Sequence, residues 1–433
     1  MRDLFIVLLL AGALPFVFKK PQVGVLLWVW MSIMNPHKLT YGFAYDFPFL
    51  DIIAGITIIS LLINRKKLYV AKYHLIIGIL ACYYFWTCLT TVFAVEFVQA
   101  FEKWLAYSKT ILMVAVILMS MNNRTWTFAL IWVFVLSLAF TGFKGGIFTV
   151  MTGGGYRIWG PPQTAWGDNN GVSIAMLIGA PLIWGLRYYF TDKLTRSFLL
   201  ILAGTFFLTL LGTQSRGGLV GAAGMLCYAV YRSKYKVTVL PAIAVLVIAG
   251  LVFMPESWTQ RMSTIANYEE DASASSRIIQ WKYAIDIAGE RPLFGNGFNA
   301  FFHQPYVQRY LHDDINRAVH SNYFEVLGEH GYIGLFVYLL LGIVAVLSAN
   351  RVSKKRFHTP QLKRSCLLLY MTQFSIVGYA ANGLTVNMAT LDLYYYVLAI
   401  VVLLIGQIKV QEASINAVSN DHTPPNNIPE YSR

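Results

Sequence analysis

Apolar runs of roughly 17 to 25 residues recur from one end of this chain to the other, the length a helix needs to cross a hydrocarbon layer of about 30 Å. The chain therefore reads as all-α, a polytopic helical membrane protein. Composition agrees: 57% of residues are hydrophobic and only 13% charged, against about 25% charged in soluble domains. Spans are expected at 49–63, 73–93, 103–121, 125–148, 171–190, 196–213, 216–231, 236–254, 332–349, 363–384 and 391–409. The opening runs 3–18 and 22–34, split by Lys19-Lys20-Pro21, fit a tight hairpin or one irregular crossing. Taken as one broken crossing, they bring the total to about 12 transmembrane helices. MRDLFIVLLLAGALPFVFKK lacks a convincing cleavage site and runs on into apolar sequence, so no cleaved signal peptide is expected.

A net charge of +13 would suit a nucleic-acid partner, but its distribution argues against one. The basic residues cluster between spans, at Arg65-Lys66-Lys67, Lys193 to Arg196, Arg232 to Lys236 and Arg351 to Arg364. That is the positive-inside pattern, which marks those loops as cytoplasmic. It puts the one long polar interval, Pro255 to Gly331, on the outer face, which is the periplasm for a bacterial inner membrane. The chain then divides into N-terminal transmembrane helices (1–254), a large, partly helical periplasmic loop (255–331), C-terminal transmembrane helices (332–410) and a polar, Pro/Asn-rich cytoplasmic tail (411–433) expected to be disordered. Cys82, Cys88, Cys227 and Cys366 all fall in apolar runs, giving neither a disulfide framework nor a zinc site.

A polar loop of this length with helical pieces of its own is usually a working part. Its acidic residues outnumber its basic ones, so an anion would be held by individual arginines and not by a general field. Ser275 or Ser276 can cap a helix through IIQWKYAIDIAG that Gly289 and Pro292 stop. Arg277 then lies in its first turn, where guanidinium and free backbone N–H groups meet an anion together, with Trp281 one turn on along the same face. A pairing with Asp271 is the competing reading. Arg216 stands between two apolar runs in Leu-Gly-Thr-Gln-Ser-Arg-Gly-Gly, at the outer end of a span. An arginine at bilayer depth costs about 2.5–3.5 kcal/mol on insertion scales and is usually paired or functional; snorkelling to headgroups is the alternative. Arg157 occupies another outer loop, Gly-Gly-Gly-Tyr-Arg-Ile-Trp-Gly-Pro-Pro, with Asp168-Asn169-Asn170 opening the next span. A lipid or structural role for Arg157 competes evenly with a ligand role.

His303, His312, His320 and His330 lie in the long loop, and only His320 is followed by Ser-Asn-Tyr just before the chain returns to the membrane. With an unperturbed pKa of about 6.5, much of such a histidine is neutral near pH 7 and able to accept a proton. His312-Asp313-Asp314 hints at a metal, but no further ligand cluster supports it.

Several features recur here in a characteristic order: Thr213-x-Ser215-Arg216-Gly217, Ser276-Arg277-x-x-x-Trp281, Pro292-x-x-Gly295-x-Gly297, His320-Ser321-x-Tyr323 and Gly328-x-x-Gly331. With Arg157-Ile158-Trp159-Gly160 and Asn169-Asn170 before them, the stretch from Arg157 to Gly334 resembles the O-antigen ligase and polymerase superfamily. Met34-Asn35-Pro36-His37 and Tyr45-Asp46-Phe47-Pro48 look like a subgroup described as O-glycosylation ligases. The resemblance implies a glycosyltransferase using an undecaprenyl-diphosphate-linked glycan as donor. A ligase would move that glycan, with inversion and without a metal ion or other cofactor, to a sugar hydroxyl of lipid A–core; a polymerase would move it to another lipid-linked repeat, and a protein O-glycosylation ligase to a protein. By the same resemblance the paired arginines fall on Arg216 and Arg277 and the histidine on His320. Arg157, Arg261, Asn170, Trp281, Ser321 and Tyr323 are the accompanying substrate-binding candidates. Beside the enzyme stand two other classes, a transporter of lipid-linked glycans and a binding or scaffold protein. The collection of ionisable residues at the outer boundary and not within spans disfavours the transporter.

Overall fold

The computed structural model describes residues 2–64, 74–121, 123–263, 272–311, 318–355, 357 and 359–421. Among them every regular element is helical, and the protein is a polytopic helical membrane protein. The opening residues form two helices, α1 (Arg2–Lys19) and α2 (Pro21–Met34), separated by Lys20 in an extended conformation, with Pro21 at the first helical position where its missing N–H costs nothing. They fold as a tight hairpin and not as one broken crossing. Asp3, at the start of α1, accepts from the Ala44 N–H, which lies beyond the end of α2. At the other end the Val17 carbonyl accepts from Ser60, near the end of α3 (Phe49–Ile63). The sequence leaves both arrangements open because each half is short. What favours the hairpin is close packing: a Cβ on Gly24 of α2 would strike both Thr57 and Val17.

The remaining membrane helices are α4 (His74–Val92), α5 (Phe97–Ser120), α6 (Arg124–Met151), α7 (Asn169–Arg187), α8 (Lys193–Gly212), α9 (Arg216–Arg232) and α10 (Lys236–Phe253). The loop contributes α11 (Glu256–Ser263), α12 (Ala272–Glu290) and α13 (Gln304–Tyr310), and the chain finishes with α14 (Asn322–Ser353), α15 (Pro360–Asn382) and α16 (Asp392–Asp421). Seven of these, α4 to α8, α14 and α16, are long and apolar enough to cross a membrane. In α7 and α16, 78% and 83% of the apolar stretch is buried, so these two form the axis of the bundle. α16 continues past 411, into what the sequence reads as a disordered tail; residues 422–433 lie outside the described residues.

Polar contacts gather at both ends of the bundle. At one end, the loop end, connections lock together through the backbone: Ile158 donates to Gly212, Val95 to Asn296 and Asn322 to Gly383. At the other, cations lie over aromatic faces, with Arg124 and Arg364 on Tyr189 and Arg232 on Tyr370, and Lys355 pairs with Glu412. Arg65 to Lys67, of the first basic cluster, lie outside the described residues.

α14 is broken at Gly331, whose φ of 68° and ψ of −173° are non-helical, so a loop-end segment from Asn322 to His330 meets the longer segment that follows it at that residue. The Pro292-to-Gly297 turn clasps that break. Tyr332 donates to the Pro292 carbonyl, and Asn296 and Gly297 donate to Gly328 and Glu329. A Cβ on Gly295, at φ 69°, would collide with the Gly331 nitrogen. The spacing of these glycines is a packing requirement.

Candidate functional site

Three helix N-termini meet at the loop end around the C-terminus of α15. Asp168 caps α7 by accepting from the Gly171 N–H at 2.7 Å, and Ser215 caps α9 by accepting from Gly218 at 3.0 Å. The two starts are tied to each other: the Ser215 hydroxyl donates to Asn170 Oδ1 at 2.7 Å, and Asn169 Nδ2 donates to the Thr213 carbonyl at 3.0 Å. α15 is tied to both, because Asn382 Nδ2 donates to Ser173 at 3.1 Å and a Cβ on Gly217 would strike Thr385 and Asn382. The third start, that of α14, joins through Asn322, whose N–H donates to Gly383 at 2.8 Å and whose Oδ1 accepts from the Met388 N–H at 2.6 Å.

Helix N-termini carry roughly half a positive charge and unbonded N–H groups, and so attract anions. Asp168 offsets this for α7, whereas α9 has no carboxylate in its first turn and begins with Arg216 itself. Gly217 and Gly218 are buried against Thr385 and Ser173, which brings the backbone of that first turn among the other helix ends. Asn322 Nδ2 is buried and has no hydrogen-bond partner among the described residues, leaving a donor in the same neighbourhood.

α12 reaches this place from the loop. Trp281 donates its indole N–H to the Val319 carbonyl at 3.0 Å and stacks on Phe324 with ring centroids 5.1 Å apart. It thus grips the chain on both sides of His320. Arg277 lies one turn before Trp281 on the same helix face. Its setting differs from expectation: α12 is already helical at Ala272, so Ser275 and Ser276 lie inside it and not at its start. At Arg277 the backbone N–H is used within the helix. His320 has φ 49°, left-handed backbone that a non-glycine residue rarely adopts without surrounding support. Trp281 at Val319 and Gly383 at Asn322 supply that support.

Behind the site is a buried ionic cluster. Lys103 of α5 donates to Glu325 and to Glu329, both at 2.8 Å, and both carboxylates are 3% exposed. Glu325 also accepts from the Ala389 N–H, and Glu329 from Asn299. Glu325 lies one turn from Ser321 but is fully engaged in holding α14 to α5 and to the segment before α16. Among the described residues no three His, Cys, Asp or Glu side chains cluster as metal ligands do; His312-Asp313-Asp314 and Asp271 lie outside the described residues.

Comparison with known families covers most of this architecture. Residues 198–339, from α8 to the membrane half of α14, match the family described as O-antigen ligase. This match supports membership in the O-antigen ligase and polymerase superfamily. Residues 1–191 match a family of unknown function, and no curated protein matches the chain. The superfamily match supports membrane glycosyltransferase activity of ligase or polymerase type and lipid-linked substrates in general.

The superfamily residues inferred from sequence separate into three groups. Arg216 and His320 open or precede converging helices, and Arg277 lies one turn before Trp281, which is bonded to Val319 beside His320. Asn170, Trp281 and Ser321 serve the scaffold: Asn170 accepts from Ser215, Trp281 fastens α12, and Ser321 is buried at the start of α14 with its carbonyl bonded to the Glu325 N–H. Tyr323 turns away, donating to the Ala380 carbonyl at 2.6 Å and lining an apolar groove of about 330 Å³ between α14 and α15. Arg157 stands apart, in a different pocket lined by α6. Arg261 lies on α11; its side chain is outside the described part of the structure. Asn322, Asn382 and Lys103 escape motif reasoning, although ionisable and amide side chains at the margins of apolar runs are the signal that marks them.

Proposed function

We propose that this protein is an O-antigen ligase, transferring a glycan from undecaprenyl diphosphate to a sugar hydroxyl of lipid A–core on the periplasmic face of a bacterial inner membrane. The observation that carries the reading is the start of α9, with Arg216 at its first position, set among the ends of α7, α14 and α15. As the glycosyl bond breaks, negative charge builds on the diphosphate. Guanidinium forks at Arg216 and Arg277, with backbone N–H groups of α9, are suited to stabilise it, the task a divalent cation performs in many transferases. His320 accepts the proton of the attacking hydroxyl, a role typically worth 10²–10⁴-fold. Its fixed backbone, between Val319 held by Trp281 and Asn322 held by Gly383, favours a defined direction of attack. Glu325, the other base within one turn, is held by Lys103. The groove below Tyr323 offers an apolar path for a polyprenyl tail beside the site.

Purified protein incubated with donor plus lipid A–core, or with donor alone, tests the assignment. A ligase yields glycosylated lipid A–core and leaves donor alone unextended. Extension of the donor by further repeats in the absence of lipid A–core identifies a polymerase and overturns the reading.

A further inference from the structure

A second cationic pocket, of about 360 Å³, opens where α6 meets the connection after it and shares no lining residue with the helix ends around Arg216. Its two charged groups are Lys144 and Arg157, and its apolar walls include Phe140, Phe148 and Trp159. Lys144 lies on a helix long and apolar enough to span the membrane, seven residues before its end at Met151 (151 − 144), about 10 Å along the axis. Neither Lys144 nor Arg157 makes a hydrogen bond or ion pair with any described residue. A cation at that depth is costly, and such residues find a partner or extend to the interface. Here the aromatic side chains around the pair are exposed outward, Trp159 by 62% and Phe140 and Phe148 by about 40% each, as in the aromatic belt at headgroup level.

We propose that this pocket binds the phosphate of a membrane lipid between Lys144 and Arg157, with the start of its acyl chain against Phe140 and Phe148. Two cations alone would suit any anion; two cations above an apolar wall facing outward suit a phosphate joined to a hydrocarbon. The pocket is coupled to the site by a short connection. Ile158, next to Arg157, donates to Gly212 at the end of α8, and Asn170, at the far end of the same connection, accepts from Ser215. A lipid held here rests on the segment that positions the start of α9.

The test is native mass spectrometry of the purified full chain titrated with phosphatidylglycerol, with diacylglycerol as the phosphate-free lipid and inorganic phosphate as the lipid-free anion. Wild type should retain phosphatidylglycerol selectively, and a Lys144→Gln, Arg157→Gln double variant should bind it roughly thirtyfold more weakly, two cation–phosphate contacts being lost. A Lys144→Arg, Arg157→Lys protein should keep it, which separates loss of charge from misfolding. Added phosphorylated lipid A tells the two lipid sources apart: displacement names a phosphorylated glycolipid, and persistence a leaflet phospholipid, each supporting a lipid-phosphate site. Equal retention of diacylglycerol, equal affinity for inorganic phosphate, or undiminished binding by the double variant would overturn the proposal.

Discussion

Replacing Lys103 by alanine should be among the most damaging single changes in this protein that touch no proposed catalytic group. Lys103 is the shared partner of Glu325 and Glu329, each at 2.8 Å and each 3% exposed. Its removal leaves two carboxylates in the interior facing each other across the vacated space. Breaking a buried ion pair by deleting one partner typically costs about 3–5 kcal/mol, most of it the penalty for the charge left behind. Chemical unfolding in mild detergent should therefore show Lys103→Ala destabilised by about that amount. Removing all the charges together is far cheaper. A Lys103→Met, Glu325→Gln, Glu329→Gln protein should recover most of the loss, since the amides still accept from Ala389 and Asn299. It should also retain transfer activity, because Glu325 is assigned no proton to carry. A Lys103→Ala protein within about 0.5 kcal/mol of wild type would refute the argument, as would a triple variant no more stable than Lys103→Ala.

Three further outcomes follow from the loop. Gly295→Ala should destabilise by more than about 2 kcal/mol in the same unfolding assay, since it combines left-handed backbone with a collision against Gly331. Gly289→Ala, in helical backbone with open space where the Cβ would go, should be neutral or stabilising by about 0.5 kcal/mol. Glu290 accepts from the Tyr310 hydroxyl and pairs with Arg309 at 2.7 Å, and these two hold its carboxyl below the usual carboxylate range. A depressed acid contributes fully above its ordinary pKa of about 4.3 and is lost as pH falls through the lowered value. Hydrogen exchange at 304–310 should accelerate over that acid window in wild type and be fast and pH-insensitive in this respect in Glu290→Gln.

What the sequence discloses here follows from how locally each feature is determined. Span length is a property of single segments, so the helical membrane class is legible. So is Arg216 at a helix start, because Ser215 and the two glycines that fix it are its neighbours. Lys103 is 222 residues from Glu325, and no local pattern announces their meeting. The direction of Tyr323, toward Ala380 and the groove, depends on where α15 packs. Arg157 sits in a connection whose glycines and prolines shape a turn, but which face of the bundle that turn serves is decided by the docking of Ile158 on Gly212. For Arg277 the miss is local: two serines invite a cap, yet the Ala-Ser-Ala-Ser-Ser run before it continues the helix.

The central claim is that arginines hold the diphosphate while His320 takes the acceptor proton, and donor binding measured beside transfer rate across a pH series tests it most directly. Arg216→Ala and Arg277→Ala should lose donor binding, by several kcal/mol where a charged contact in a partly dehydrated site is broken, and lysine should rescue poorly because a point charge cannot reproduce the fork. His320→Ala should bind donor nearly as wild type does while transfer falls about 10²–10⁴-fold, and the surviving activity should lose its dependence on a group titrating at about 6–7. Normal transfer by His320→Ala, or loss of donor binding as complete as that of Arg216→Ala, would contradict the account.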